Sequence, residues 1–273
     1  MTPELPLSSE SFKRLVQERL HGRTRSEFAF HRNGDLKRIS AVLFLLGRGP
    51  DGTPWLILNK RSRRVRQPGD LCCPGGGVAP ILDPLLSRGL RLPATPLSRW
   101  PQAAWWQRHR RKDWPKLALL LATALREGAE EMRLNPFGVS FLGPMQAQQL
   151  IMFRRHIYPL VGWVNRQRRF FPNWEVDRIV RIPVAALLDG GNYGRFHISL
   201  ESDRPDIADI HHRDMPCFVH RRNGHEEMLW GATYRITEHF LRVVFGFIPP
   251  SSGALPVFRR RLGRDYIEGG SAP

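Results

Sequence analysis

A chain of 273 residues, 41% hydrophobic and 25% charged, suits one globular domain with extensions and has ample apolar material for a core. Its 42 Lys and Arg against 25 Asp and Glu give a formal net charge of +17. Such a field favours anionic partners (nucleotides, nucleic acid, phosphorylated metabolites, a membrane surface), or it is simply a solvated basic exterior. No apolar run approaches the roughly 18 residues of a membrane span, and the N-terminus lacks a basic-then-apolar signal pattern. The cysteines Cys72, Cys73 and Cys217 make neither a disulfide framework nor a zinc pattern. Together these features read as a cytoplasmic protein, with the oligomeric state left open.

In chain order, residues 1–38 read as a helical extension. Within it, "SSESFKRLVQERL" (8–20) is a helix capped by Ser8 or Ser9, with Phe12, Leu15, Val16 and Leu20 near helical spacing. "ISAVLFLL" (39–46) and "WLILN" (55–59) read as buried strands joined by the turn "GRGPDGTP", hence a hairpin. Residues 60–83 are irregular and contain Gly75, Gly76 and Gly77, which allow backbone approaches that side chains forbid. Residues 117–132 form a helix, with Pro136 beyond its end. Segments 153–164 and 176–187 read as strand-rich, 227–247 as a second long helix, and the Pro-, Gly- and Ser-rich tail 249–273 as loosely ordered. Strands on both sides of two helices imply an α/β or α+β sandwich over 39–248.

The 117–132 helix carries the chemistry. Residues three and four apart share a helix face, so Glu127, Glu130 and Glu131 are expected on one side. In a basic chain, three carboxylates so close repel one another; a divalent cation removes that repulsion, and Mg²⁺ or Mn²⁺ prefers hard oxygen ligands. The bland alternative is a solvated acidic helix end. Arg126 is placed to pair with one carboxylate and hold it.

The ordered residues Gly77, Asp83, Arg126, Glu127, Glu130, Glu131 and Leu134 resemble the Nudix box, with Asp in place of its first Glu. "LILNKRSRRVRQPGDLCCPGG" (56–76) is similar to the segment that marks the coenzyme A pyrophosphatase branch of that superfamily, through Arg61, Ser62, Arg66, Gly69, Pro74, Gly75 and Gly76; "MLWGATYRI" (228–236) resembles its late Trp-Gly-x-Thr helix start. The likeness spans about residues 39–245. It implies a Nudix α/β/α sandwich around a mixed sheet, and a metal-dependent hydrolase of a diphosphate linked to another moiety. It implies Glu127, Glu130 and Glu131 as ligands of Mg²⁺ or Mn²⁺ and as catalytic carboxylates. Arg126 would be their orienting partner, and Arg61, Arg66, Gly75, Gly76 and Gly77 would line the substrate site. The substrate it favours is coenzyme A or an acyl derivative, cleaved to a phosphopantetheine and adenosine 3′,5′-bisphosphate.

Four departures stand out. Residues 84–125 lengthen the gap between Asp83 and Arg126; Gly128 takes a hydrophobic position; Arg133 replaces a Gly; and Cys73 replaces a Phe, with the Arg66–Gly69 gap one residue short. The insertion, 84–118, holds eight Lys and Arg with one acid, Asp113, interleaved with Trp100, Trp105, Trp106 and Trp114. Basic residues among aromatics bind phosphates and stack on bases; alternatively the tryptophans pack on the domain while the arginines face water. Two rival readings follow: a Nudix hydrolase acting on another nucleoside diphosphate derivative or capped RNA, and a degenerate Nudix domain that binds nucleic acid. A small nucleotide substrate is favoured over nucleic acid.

Overall fold

The computed structural model describes residues 8–27, 29–30, 36–150, 155–200, 214–222, 224–250, 254–262 and 266. In chain order they form α1 (Ser9–Glu27), β1 (Ile39–Arg48), β2 (Pro54–Arg61), β3 (Leu71–Cys72), β4 (Gly75–Gly77), α2 (Leu82–Leu90), α3 (Ala103–His109) and α4 (Trp114–Met132). There follow β5 (Val139–Pro144), β6 (Gln148–Leu150), β7 (Arg155–Val164), β8 (Val176–Pro183), α5 (Val184–Leu187), β9 (Tyr193–Leu200), β10 (Asp214–Arg222), β11 (His225–Trp230), α6 (Gly231–Phe245) and β12 (Val257–Leu262).

Strand β1 is the centre of the larger sheet, which runs β3-β2-β1-β7-β5 with β4 on β1, β6 on β7 and β8 on β2. The β1–β7 pair is parallel, from Ile39↔His156 to Gly47↔Val164; the β1–β2 and β2–β8 pairs are antiparallel, so the sheet is mixed. Successive residues of a strand point to opposite faces, and β1 is buried on both. Leu43 and Leu45 meet Leu117, Leu121 and Leu125 of α4, whereas Phe44 and Leu46 join Phe12 and Val16 of α1 and Phe240 and Leu241 of α6. This is why "AVLFLL" is a continuous apolar run and not an alternating one. The result is the α/β/α sandwich expected from the sequence.

Helix α1 belongs to the core, with Phe12, Val16 and Leu20 buried, and Ser8 caps it by accepting the Ser11 amide at 3.1 Å. The 84–118 segment is likewise core in its aromatics. Trp100, Trp106 and Trp114 are buried with the α4 face, and Trp100 Nε1 donates to the Leu142 carbonyl at 3.2 Å, so these rings are not a base-stacking platform. Arg108, Arg111 and Lys112 face outward.

Two expectations are corrected. Residues 227–230 belong to a strand: β11 pairs with β10 from Cys217↔Trp230 to Arg222↔His225, and the helix begins only at Gly231, whose φ of +64° makes the bend between them. The tail is not uniformly loose. β12 lies parallel to β9, closing the second sheet, β11-β10-β9-β12, and Phe258 covers Gly194, where a Cβ would stand 2.5 Å from the ring. The rest of the tail expectation falls largely outside the described residues. Among the described residues no helix is long and apolar enough to cross a membrane.

Candidate active site

The last turns of α4 lie against β4, the triple-glycine strand, which is itself paired to β1 as Ser40↔Gly77, Ala41↔Gly76 and Val42↔Gly75. The closeness explains two of the glycines. A Cβ on Gly76 would stand 2.4 Å from Glu127 Oε1, and one on Gly75, whose φ is +150°, would stand 2.4 Å from the Ala41 carbonyl oxygen. Gly77 has open space around it but supplies its carbonyl to Arg126 Nη2 at 3.1 Å.

Arg126 is the hub. Its Nε donates to Asp83 Oδ1 at 2.7 Å, Nη2 to Glu127 Oε1 at 2.9 Å and Nη1 to Glu130 Oε2 at 2.9 Å. Asp83 is fully buried and also accepts the Ala79 amide and the Thr123 hydroxyl, each at 2.7 Å. Asp83 therefore fixes the guanidinium, and the guanidinium fixes two of the glutamates. The hydrogen bond that Arg126 donates to Asp83 is the first reason that the Arg126 pKa is raised.

Glu131 has a different environment. Only 8% exposed, its Oε2 accepts from Asn59 Nδ2 at 2.8 Å and from the Gly75 amide at 3.1 Å. Burial first, and then the Glu127 charge, push its pKa up to about 8. Burial also raises Glu127, against the pull of Arg126. Glu130 is half exposed.

The three glutamates are thus brought to one helix face but not onto one point: Arg126 draws Glu127 and Glu130, while Glu131 turns to Asn59 and Gly75. Among the described residues no group of three or more His, Cys, Asp and Glu is gathered to hold a metal ion. In kind, however, the residues fit a hard divalent cation. Among the described residues, each carboxylate commits only one oxygen to a protein donor, and the buried Oδ1 of Asn59 has no partner.

Arg61 adjoins this cluster. Its charge lowers the pKa of Glu131, and its Nε donates to the Arg66 carbonyl at 2.7 Å. The Arg66 side chain is exposed, and it is the backbone of Arg66 that touches Arg61. Burial pushes the Cys72 thiol up to about 12 and raises Cys73 too, so neither is a thiolate nucleophile. Two neighbours escaped the sequence reading. Asn59, wholly buried at the end of an apolar strand, was signalled only by being polar there. Glu175, whose charge raises both Glu127 and Glu131, carries no local signal.

The two remaining departures from the box have local explanations. Arg133 adopts the left-handed conformation of a helix C-terminus, φ 52° and ψ 41°, that Gly normally supplies. Its amide donates to the Ala129 carbonyl and that of Leu134 to the Gly128 carbonyl, at 3.0 and 3.2 Å. The Leu134 side chain then lies over Gly128, 3.0 Å from where a Cβ would be, and supplies the apolar cover that Gly128 lacks.

No protein-family profile matches the chain, and no curated protein does. Solved structures do. A MutT/nudix family protein from Enterococcus faecalis matches with 11% identity and a TM-score of 0.37, over 88% of this chain and 75% of that one. A NUDIX hydrolase from Nitrosomonas europaea matches with 10% identity and a TM-score of 0.37, over 86% and 85%. A Nudix hydrolase from M. smegmatis matches with 13% identity and a TM-score of 0.35, over 54% and 71%. Likenesses at this level leave family, reaction and substrate to be argued from the residues of this chain.

Proposed function

We propose that this chain hydrolyses a diphosphate linkage in a nucleotide derivative, with Mg²⁺ or Mn²⁺ held by Glu127, Glu130 and Glu131. The observation that carries the reading is the buried Glu131, hydrogen-bonded to Asn59 and Gly75 and pushed up to about 8 while its neighbours share Arg126. A carboxylate so strained by burial and by a like charge gains from a cation, and titratable groups shifted this far concentrate at functional sites. When bound, the cation would neutralise charge on the diphosphate oxygens and the leaving group.

The protein's own parts have separate tasks. Asp83 holds Arg126, and Arg126 sets the directions of Glu127 and Glu130. The glycine strand lets backbone approach the carboxylates without side chains in the way. Arg61, with a phosphate-matching fork beside Glu131, is assigned to the substrate phosphates, with the exposed Arg66 behind it. One of the glutamates accepts a proton from the attacking water.

Coenzyme A or an acyl derivative is the proposed substrate, on the strength of the ordered residues Arg61, Ser62, Arg66, Gly69, Pro74, Gly75 and Gly76. The experiment is a substrate panel run with and without Mg²⁺. Coenzyme A should turn over faster than nucleoside triphosphates, and only with metal. Equal or faster turnover of triphosphates would remove the coenzyme A assignment. No turnover of any diphosphate, with metal present, would remove the hydrolase reading.

A further inference from the structure

At the β2–β8 edge, the ends of β1 and β7 meet β10 and β11 around a cavity of about 740 Å³. Six arginines line it: Arg48, Arg166, Arg168, Arg178, Arg181 and Arg222. The one carboxylate in its lining, Glu227, is already taken by Lys60 and Arg178. The other five arginines have no carboxylate partner among the described residues. None of the lining belongs to the Glu127, Glu130 and Glu131 cluster.

All six arginines are solvent-exposed, yet like charges gathered around one concave site still repel each other and raise the local concentration of anions. Two of these guanidiniums are held in place. Arg222 lies 4.4 Å over the Trp55 ring, and Arg181 lies 5.5 Å over Phe170 while donating to the Arg168 carbonyl at 2.7 Å. Partial desolvation lowers the pKa of Arg181, which is still exposed, and no carboxylate among the described residues opposes it. His220 lines the same cavity, and its Nε2 is buried without a partner among the described residues.

We propose that this cavity is a second ligand site, which binds a compact polyphosphate group. Clustered phosphates would supply the negative charge that five arginines lack among the described residues, in the bidentate geometry that guanidinium favours, and His220 Nε2 would gain a hydrogen-bond partner. The rings argue against recognition of a base: Trp55 is buried and Arg222 covers it, and Phe170 carries Arg181. A cavity of this size also suits a small ligand better than a nucleic-acid strand. Inorganic tripolyphosphate and the tail of a nucleoside triphosphate share this chemistry, and the experiment separates them.

The test is calorimetric titration of tripolyphosphate and of ATP into the whole chain, without divalent cation and at fixed salt. Wild type should bind both, within about threefold of each other. The double variant R168Q/R181Q should bind at least tenfold more weakly, whereas R108Q/R111Q, which removes the same charge from an outward-facing helix and loop, should bind like wild type. R61Q, which removes the arginine assigned to the substrate phosphates at the proposed hydrolytic site, should also bind like wild type, which separates the two sites. If R168Q/R181Q does not fold by circular dichroism, the pair R48Q/R166Q on the same rim takes its place. Equal weakening by R108Q/R111Q would reduce the effect to net charge and overturn the proposal. A preference for ATP of tenfold or more, or tighter binding of an unphosphorylated oligoribonucleotide lost in the same variant, would also overturn it.

Discussion

Glu131 is where the chemistry of a single residue is most exposed to test. Its pKa of about 8 in the fold stands against a value of 4.5 for a free glutamate. Between those two values the folded protein binds a proton that the unfolded chain does not. Metal-free stability must therefore fall as pH rises from about 4.5 to about 8, by up to roughly 1.4 kcal/mol per pH unit. Gln is uncharged at every pH, and its carbonyl oxygen can still accept from Asn59 and Gly75. Urea melts in EDTA should show E131Q losing this pH slope and standing more stable than wild type at pH 8. The same variant should lose most metal-dependent turnover and much of any stabilisation by Mg²⁺ or Mn²⁺. Parallel pH profiles for the two proteins would show that the carboxylate is solvated and unstrained. The face shared by Glu127, Glu130 and Glu131 was legible in the sequence because helical spacing is local. That Glu131 would turn away to Asn59 was not, because that bond joins residues 72 positions apart. Glu175 was hidden for the same reason.

At the scale of an element, the C-terminus of α4 shows how a sequence departure can leave a conformation intact. Arg133 keeps the left-handed turn, φ 52°, that suits Gly. A non-glycine residue there costs about 1–2 kcal/mol. Part of this is offset by the Arg133 guanidinium, 5.8 Å from the Phe171 ring centroid. R133G should raise Tm by about 1–3 °C, the shift expected for roughly half to one kcal/mol in a chain of this size. R133A, which keeps the strain and loses the ring contact, should melt at or below wild type. An R133A as stable as R133G would show that the turn is unstrained. The helix itself was legible from its apolar spacing, but β11 was not. "EMLW" runs without a break into the α6 sequence, and only the positive φ of Gly231 separates strand from helix. Trp100, Trp106 and Trp114 were ambiguous in the same way: sequence marks a tryptophan among arginines but does not mark which face of the sheet it fills.

For the molecule as a whole, the C-terminal segment ties the two sheets to the site. β12 covers the open side of β9 along Val257↔Arg195 to Leu262↔Leu200. Farther on, the Tyr266 hydroxyl donates to Asp70, and its carbonyl accepts the Gln67 amide at 2.8 Å. Asp70 also accepts Trp230 Nε1 at 3.1 Å, at the end of β11. Burial pushes the Asp70 pKa up to about 6, so these donors are what make its charge tolerable. The loop they hold, 66–70, leads directly into β3 and β4 and so to the glycines under Glu127. A chain ending at Pro250 should therefore lose stability through three routes: an unpaired β9 edge, the loss of Phe258 over Gly194, and a buried Asp70 with one donor fewer. Tyr266→Phe removes only the last of these and should cost about 1 kcal/mol. Thermal melts and light scattering should rank wild type, then Y266F, then the truncated chain, with self-association of the truncated chain rising with concentration as its bare edge pairs between molecules. A truncated chain that melts with wild type and keeps its association state would mean that β12 rests on the sheet without supporting it, and that the glycine loop is held from β11 alone.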